Sequence, residues 1–175
     1  MSKHRIAPEA GFVNPTSLPL GPSGRPLCRW CGKEVPKPRR TFCSDACVHE
    51  HKLRSNPGYA RKQVFKRDRG VCALCGLDTV TEEQWLALAV NAAWHTGPDA
   101  WAAAKEEFAR VLGTPYGRRY HGSYWDADHI VPVSQDGGGC GLDNYRTLCL
   151  LCHKAVTAKL RKQQALERKQ SKEPL

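Results

Sequence analysis

Ser123-Tyr124-Trp125-Asp126-Ala127-Asp128-His129-Ile130-Val131-Pro132-Val133 is dense in strand-forming residues, and Pro132 arrests the run. Gly137-Gly138-Gly139 follows as a flexible turn, and Tyr145-Arg146-Thr147-Leu148 reads as a short return strand. A basic helical stretch then runs from Cys149 to about Glu167. The predicted order is strand, loop, strand, helix, and the helix opens on the pair Cys149-x2-Cys152.

That pair leads outward to the other cysteines. Eight of the nine fall into close pairs, the others being Cys28-x2-Cys31, Cys43-x3-Cys47 and Cys72-x2-Cys75. A gap of two or three residues lets one short turn aim two thiolates at a single tetrahedral zinc. The residues up to position 27 hold five prolines and no apolar run of signal-peptide length. A cytoplasmic chain is expected (nucleoid-associated if bacterial), with thiolates serving as metal ligands rather than disulfides. Gly32 and Gly76 each close a knuckle, whereas Ser44 is a helix N-cap that opens a helix from about Asp45 to Arg54. Each zinc would join a knuckle to a helix start, a treble-clef plan that occurs twice. Cys28, Cys31, Cys43 and Cys47 are assigned to structural zinc 1, and Cys72, Cys75, Cys149 and Cys152 to structural zinc 2. His49 and His51 are then helix-surface residues, and Cys140 is a free thiol.

The remaining segments fall around these two units. Residues 1–26 are expected to be a disordered Pro/Gly-rich arm, and 27–56 a four-cysteine zinc finger closed by the turn Asn56-Pro57-Gly58. Residues 57–162 form the second domain, entered by a short basic helix within Tyr59–Val71, and 163–175 a basic tail. A helical insertion occupies about 81–113, with Thr81-x-x-Gln84 as a capping box. Trp85, Leu88, Ala89 and Ala92 mark the apolar face of its first helix; Trp101, Ala104, Phe108, Val111 and Leu112 mark that of the second. The fold class is therefore α+β, small and zinc-stabilised.

Composition points to a polyanionic partner. There are 27 Lys+Arg against 17 Asp+Glu, a net charge of +10, and no stretch reads as a membrane span.

The run Asp128-His129-Ile130-Val131-Pro132-Val133, the glycines at 137–139, Asn144, and Leu148-Cys149-x-x-Cys152-His153 closely resemble the HNH endonucleases, the ββα-metal nucleases. Fourteen residues separate His129 from Asn144 and eight separate Asn144 from His153, as in that family. The resemblance implies a ββα-metal module carrying the helical insertion, preceded by a separate treble-clef-like finger. It implies DNA as the partner, His129 as general base, and Asp128 and His153 as ligands of a catalytic divalent ion. Asn144 would orient the His129 loop or complete the metal shell. Some relatives carry a further histidine where this chain has Thr157, so the site is harder and more open, which suits Mg²⁺ or Mn²⁺. Asp126, two residues before Asp128 and on the same strand face, is the rival ligand. Neighbours Asp128 and His129 can serve one phosphate only at a strand end, a bulge or a sharp twist. Arg118, Arg119, Arg146, Lys154, Lys159, Arg161 and Lys162 are the candidate DNA contacts. The alternative functions are a noncatalytic nucleic-acid-binding zinc protein and an interaction module docking through residues 81–113.

Overall fold

A computed structural model describes residues 11–170. Among these residues five α-helices, α1 (Asp45–Ser55), α2 (Pro57–Asp68), α3 (Thr79–Trp94), α4 (Pro98–Leu112) and α5 (Leu150–Gln170), accompany two strands, β1 (Trp125–His129) and β2 (Tyr145–Cys149), which pair in one sheet. The chain is a small α+β protein. It divides into two compact units: the residues up to Gln63 with His129–Tyr145, and Val64–Asp128 with the residues from Arg146 onward.

In the first unit the Cys28 knuckle closes by Gly32 N–H donating to Cys28 O (3.0 Å), while Cys28 N–H donates to Lys33 O (2.8 Å). Gly32 sits at φ +72°, where a side chain would be strained. Helix α1 starts as predicted, with Ser44 Oγ accepting from Cys47 N–H at 3.2 Å. Val35, Leu53 and Ala60 are buried in this unit, and so is His51. His51 is therefore not a surface residue. Its Nδ1 lies 3.2 Å from Ser55 Oγ and its ring packs edge-on to Phe42, and burial lowers its proton affinity, aided by Arg29. His49 does lie nearer solvent, with Nδ1 2.8 Å from the Tyr59 hydroxyl.

Two boundaries also shift. The predicted turn at Asn56-Pro57-Gly58 is a one-residue break: Asn56 is extended, Pro57 already opens α2, and the Asn56 side chain accepts from Tyr59 N–H at 2.9 Å. Proline is at home in a first helical turn, because its missing N–H would have had no partner there. Of the predicted disordered arm, residues 1–10 lie outside the described residues. From Asn14 the chain is held instead by backbone pairing, Leu27 N–H donating to Pro19 O (2.8 Å) and Val35 N–H to Pro26 O (2.9 Å).

The second unit repeats the knuckle at Cys72, with Gly76 N–H on Cys72 O (2.9 Å), Cys72 N–H on Leu77 O (2.9 Å) and Gly76 at φ +74°. Ala73 N–H donates to Thr147 O (2.8 Å), which ties the knuckle to β2. Leu148, Cys72 and Cys149 form one small core. The insertion is the predicted helical pair and carries a core of its own, Val90, Phe108 and Leu112 with Tyr124. Phe108 and Leu112 are essentially solvent-free, each contributing about 1.5–3 kcal/mol of burial.

Helix α3, however, faces the opposite way from its predicted stripe. Leu86, Ala87 and Val90 turn inward, while Trp85 (67% exposed), Leu88 (61%), Ala89 and Ala92 face solvent. Its N-cap is Asp78, which accepts from the Val80 and Thr81 N–H groups at 3.1 Å each; Thr81 lies inside the first turn and donates its hydroxyl to Asp78. A carboxylate serves two orphan N–H groups and the positive helix end at once, so it displaces the weaker Thr81-x-x-Gln84 box. At the other end of the chain, α5 runs through Gln170, so residues 163–170 are helix rather than tail; the rest of the predicted tail lies outside the described residues.

Candidate metal and nuclease site

Two cysteine sets could hold zinc. In each, the four Sγ atoms lie within 4.8 Å of one another: Cys28, Cys31, Cys43 and Cys47 in the first unit, Cys72, Cys75, Cys149 and Cys152 in the second. Cys43 Sγ is 3.5 Å from Cys31 Sγ and 3.3 Å from Cys47 Sγ, and Cys75 Sγ is 3.8 Å from Cys149 Sγ. A tetrahedron with Zn–S near 2.3 Å has S···S edges of about 3.8 Å, so the thiolates are spaced for one ion. Their electrostatics agree. Burial opposes ionisation of Cys28, but the Cys31, Cys43 and Trp30 N–H groups outweigh it and bring its thiol to about 6. Cys43, crowded by the Cys47 and Cys31 sulfurs, is pushed up to about 12. Four thiolates so close repel one another unless a cation sits among them.

The candidate nuclease residues predicted from the sequence fall in both units. In the first unit His129 is the last residue of β1, and its ring lies 4.4 Å from that of Tyr145. The loop behind it hangs on Asn144. Ile130 N–H donates to Asn144 O (2.9 Å) and Val131 N–H to Asn144 Oδ1 (2.8 Å). Asn144 Nδ2 donates to Val131 O (3.1 Å) and Gly137 O (2.9 Å). Gly137 is obligatory here, since a Cβ would collide with Val131 O. Both N–H groups of the Asn144 amide and one lone pair of its oxygen are thus engaged by the loop. Asn144→Ala is expected to cost about 1–3 kcal/mol of stability, by loss of hydrogen bonds that leave loop groups unpaired. Denaturant melts would show it, and divalent-ion binding should be unchanged; weakened ion binding would instead make Asn144 a ligand.

In the second unit lie Asp126, Asp128, Arg146 and His153. Asp128 Oδ2 accepts from both Arg146 Nη2 (2.9 Å) and Arg146 Nε (3.1 Å). Asp126 Oδ2 lies 3.7 Å from His153 Nδ1. All four side chains are largely buried, at 17–27% exposure. Among the described residues only the cysteine sets gather three or more ligand atoms, so Asp128 and His153 form no such cluster. Asp126 and Asp128 lie two residues apart on one face of β1, and Asp126 is the carboxylate that approaches the His153 imidazole.

His153 opens onto a cleft of about 600 Å³, between the segment 113–120 and helix α5. Arg118, Arg119, Lys154 and Arg161 line it, with Thr157 beside His153. These cations are not equivalent. Arg119 pairs with Glu83, and Lys154 Nζ donates to Gly113 O (2.6 Å). Arg118 and Arg161 carry no acidic partner among the described residues. Lys159 and Lys162 are exposed on α5 but do not line the cleft, and Arg146 is turned to Asp128. Sequence reasoning missed this last pairing and that of Asp126 with His153. Strand alternation was a signal for both, placing residues 126 and 128 on one face.

The HNH endonuclease family model matches residues 117–159. The DNA annealing helicase and endonuclease ZRANB3 of Mus musculus is 36% identical over 94% of this chain, and that of Bos taurus is 35% identical over 85%. The chain spans only 15% and 14% of those proteins' lengths. The crystal structure of the human ZRANB3 HNH domain is 33% identical, covering 66% of this chain and 97% of that one, with a TM-score of 0.43. No helix among the described residues is long and apolar enough to cross a membrane.

Proposed function

The chain belongs to the HNH endonuclease family, and from that premise we propose that it is a divalent-metal-dependent DNA endonuclease that hydrolyses phosphodiester bonds. One observation carries the reading furthest: His153 lies in a cleft whose walls present Arg118, Arg119 and Arg161. Guanidinium groups pair with phosphate oxygens in a fork geometry, so such walls would hold a nucleic-acid backbone against the residue that grips an ion.

The proposed roles follow from the chemistry of each side chain. His129 is the general base, since an imidazole neutral near pH 7 can accept the proton of the attacking water. Asn144 keeps the loop beside His129 in one conformation. Asp128 and His153 hold the divalent ion, proposed to be Mg²⁺ or Mn²⁺, while the two cysteine sets hold structural zinc. When bound, the ion supplies positive charge to the scissile phosphate and the departing 3′ oxygen. Products with 5′-phosphate and 3′-hydroxyl ends are expected. The segmentation proposed with this reading is a four-cysteine finger, then the nuclease domain bearing its helical insertion.

The test is nicking of supercoiled plasmid by zinc-loaded protein freed of other divalent ions, with Mg²⁺ or Mn²⁺ returned. Nicking should need the added ion. A protein that binds plasmid yet leaves plasmid, branched and single-stranded DNA intact with either metal would lose the nuclease reading. A second reading, an interaction module, is favoured by the solvent-facing Trp85 and Leu88 on α3. It would gain if Trp85→Ala with Leu88→Ala abolished capture of a partner while cleavage was absent throughout.

A further inference from the structure

The pairing of Asp128 with Arg146 has an asymmetry that matters for any cation. Both guanidinium N–H groups converge on one carboxylate oxygen, Oδ2, and among the described residues nothing engages Oδ1. Arg146 is only 21% exposed and Asp128 17%, so the positive charge is held against the carboxylate with little water to screen it. On the same strand face Asp126 stands 3.7 Å from His153 Nδ1, leaving the imidazole's Nε2 as its other ligand atom. Two carboxylates face one guanidinium, so formal negative charge is in excess in this group.

We propose that Arg146 is a positioning residue that holds Asp128 to single-oxygen ligation and, through its charge, makes divalent-ion binding depend on the substrate phosphate. This rests on the reading of Asp128 and His153 as the ion's ligands. The fork fixes the carboxylate plane and commits Oδ2, so the ion meets Oδ1 alone. The guanidinium also repels a dication at close range, which keeps the empty protein's affinity low. A phosphate in the cleft adds the missing negative charge, so ion and DNA load together and each strengthens the other's binding by the same factor. A site of this kind avoids standing loaded with metal when no DNA is present.

The experiment is Mn²⁺ binding by electron paramagnetic resonance on the zinc-loaded chain, with and without a duplex oligonucleotide, in a His129→Ala background that prevents turnover. The starting protein should bind Mn²⁺ at least about tenfold more tightly with the duplex. Arg146→Gln should bind Mn²⁺ alone about tenfold or more tightly than its parent, from loss of a neighbouring like charge, and should show little further gain with DNA. Arg146→Lys keeps the charge and loses the fork. It should retain weak DNA-free binding, yet in the His129-intact chain it should cleave with lower kcat at saturating Mn²⁺. Unchanged or weaker DNA-free affinity in Arg146→Gln would overturn the proposal and leave Arg146 a plain structural or phosphate-binding partner. Asp128→Asn separates the two levels: if it leaves Mn²⁺ binding intact, the ligand assignment fails rather than the coupling.

Discussion

His129→Ala is expected to lower the rate of DNA cleavage by about 10²–10⁴-fold, the usual contribution of a positioned general base. DNA binding and zinc content should be unchanged. Alanine removes the group proposed to take the water's proton and leaves the cysteines, the cleft arginines and Asn144 unsubstituted. His129 is half-buried at the end of β1, so its loss leaves no sealed cavity. The measurement is single-turnover cleavage at saturating metal, with binding followed separately by electrophoretic shift. A rate within about threefold of the parent would mean that another group activates the water. Raising the pH should then discriminate further: hydroxide partly replaces a missing base, so the variant's rate should climb with pH where the parent's has levelled.

Loss of the second cysteine set should have the larger effect on the fold. Cys149→Ser is expected to release one zinc equivalent and to unfold the second unit rather than loosen it. Structural zinc in small domains supplies about 10–16 kcal/mol, as much as the whole stability of an ordinary domain. Cys149 is 2% exposed and packs with Leu148 and Cys72, so the small core of β2 is bound up with the metal ligands themselves. Elemental analysis should give one zinc per chain instead of two, and the cooperative thermal transition of the second unit should disappear. A variant that keeps both zinc equivalents, or melts within a few degrees of the parent, would show that the set is not a zinc site.

The sequence made the local chemistry easy to read and the pairing of distant segments hard. Cysteine spacing, Ser44 as a cap and the glycine after each knuckle all act over a few residues, and the knuckle hydrogen bonds and the start of α1 follow them. The strand–loop–strand–helix order around His129 and Asn144 was legible for the same reason. Helix α3 was not, because it is apolar on nearly every face after Glu83. Two stripes, one through Trp85 and Leu88 and one through Leu86 and Val90, then compete, and only packing against α4 selects the second. Tryptophan's bulk drew the prediction to the wrong side. His51 differs again: an imidazole is small enough to join a core when a hydroxyl such as Ser55 meets its ring nitrogen. The partners of Asp126 and Asp128 depended on the register of β1 with β2 and on the phase of α5, which no short motif encodes.

The second cysteine set joins Cys72 and Cys75 to Cys149 and Cys152, so the chain between them is a single long loop closed at its neck by the same four sulfurs. Closing such a loop becomes more costly only as the logarithm of its length, by about 0.6 kcal/mol for each doubling. Against the zinc contribution that increment is small. The α3–α4 pair packs around Val90, Phe108 and Leu112 with Tyr124, and Leu77 joins that core to the smaller one at the neck. Lengthening, shortening or grafting at its tip, His95-Thr96-Gly97, which is remote from these contacts in sequence, should leave the cysteine-lined base of the loop in place.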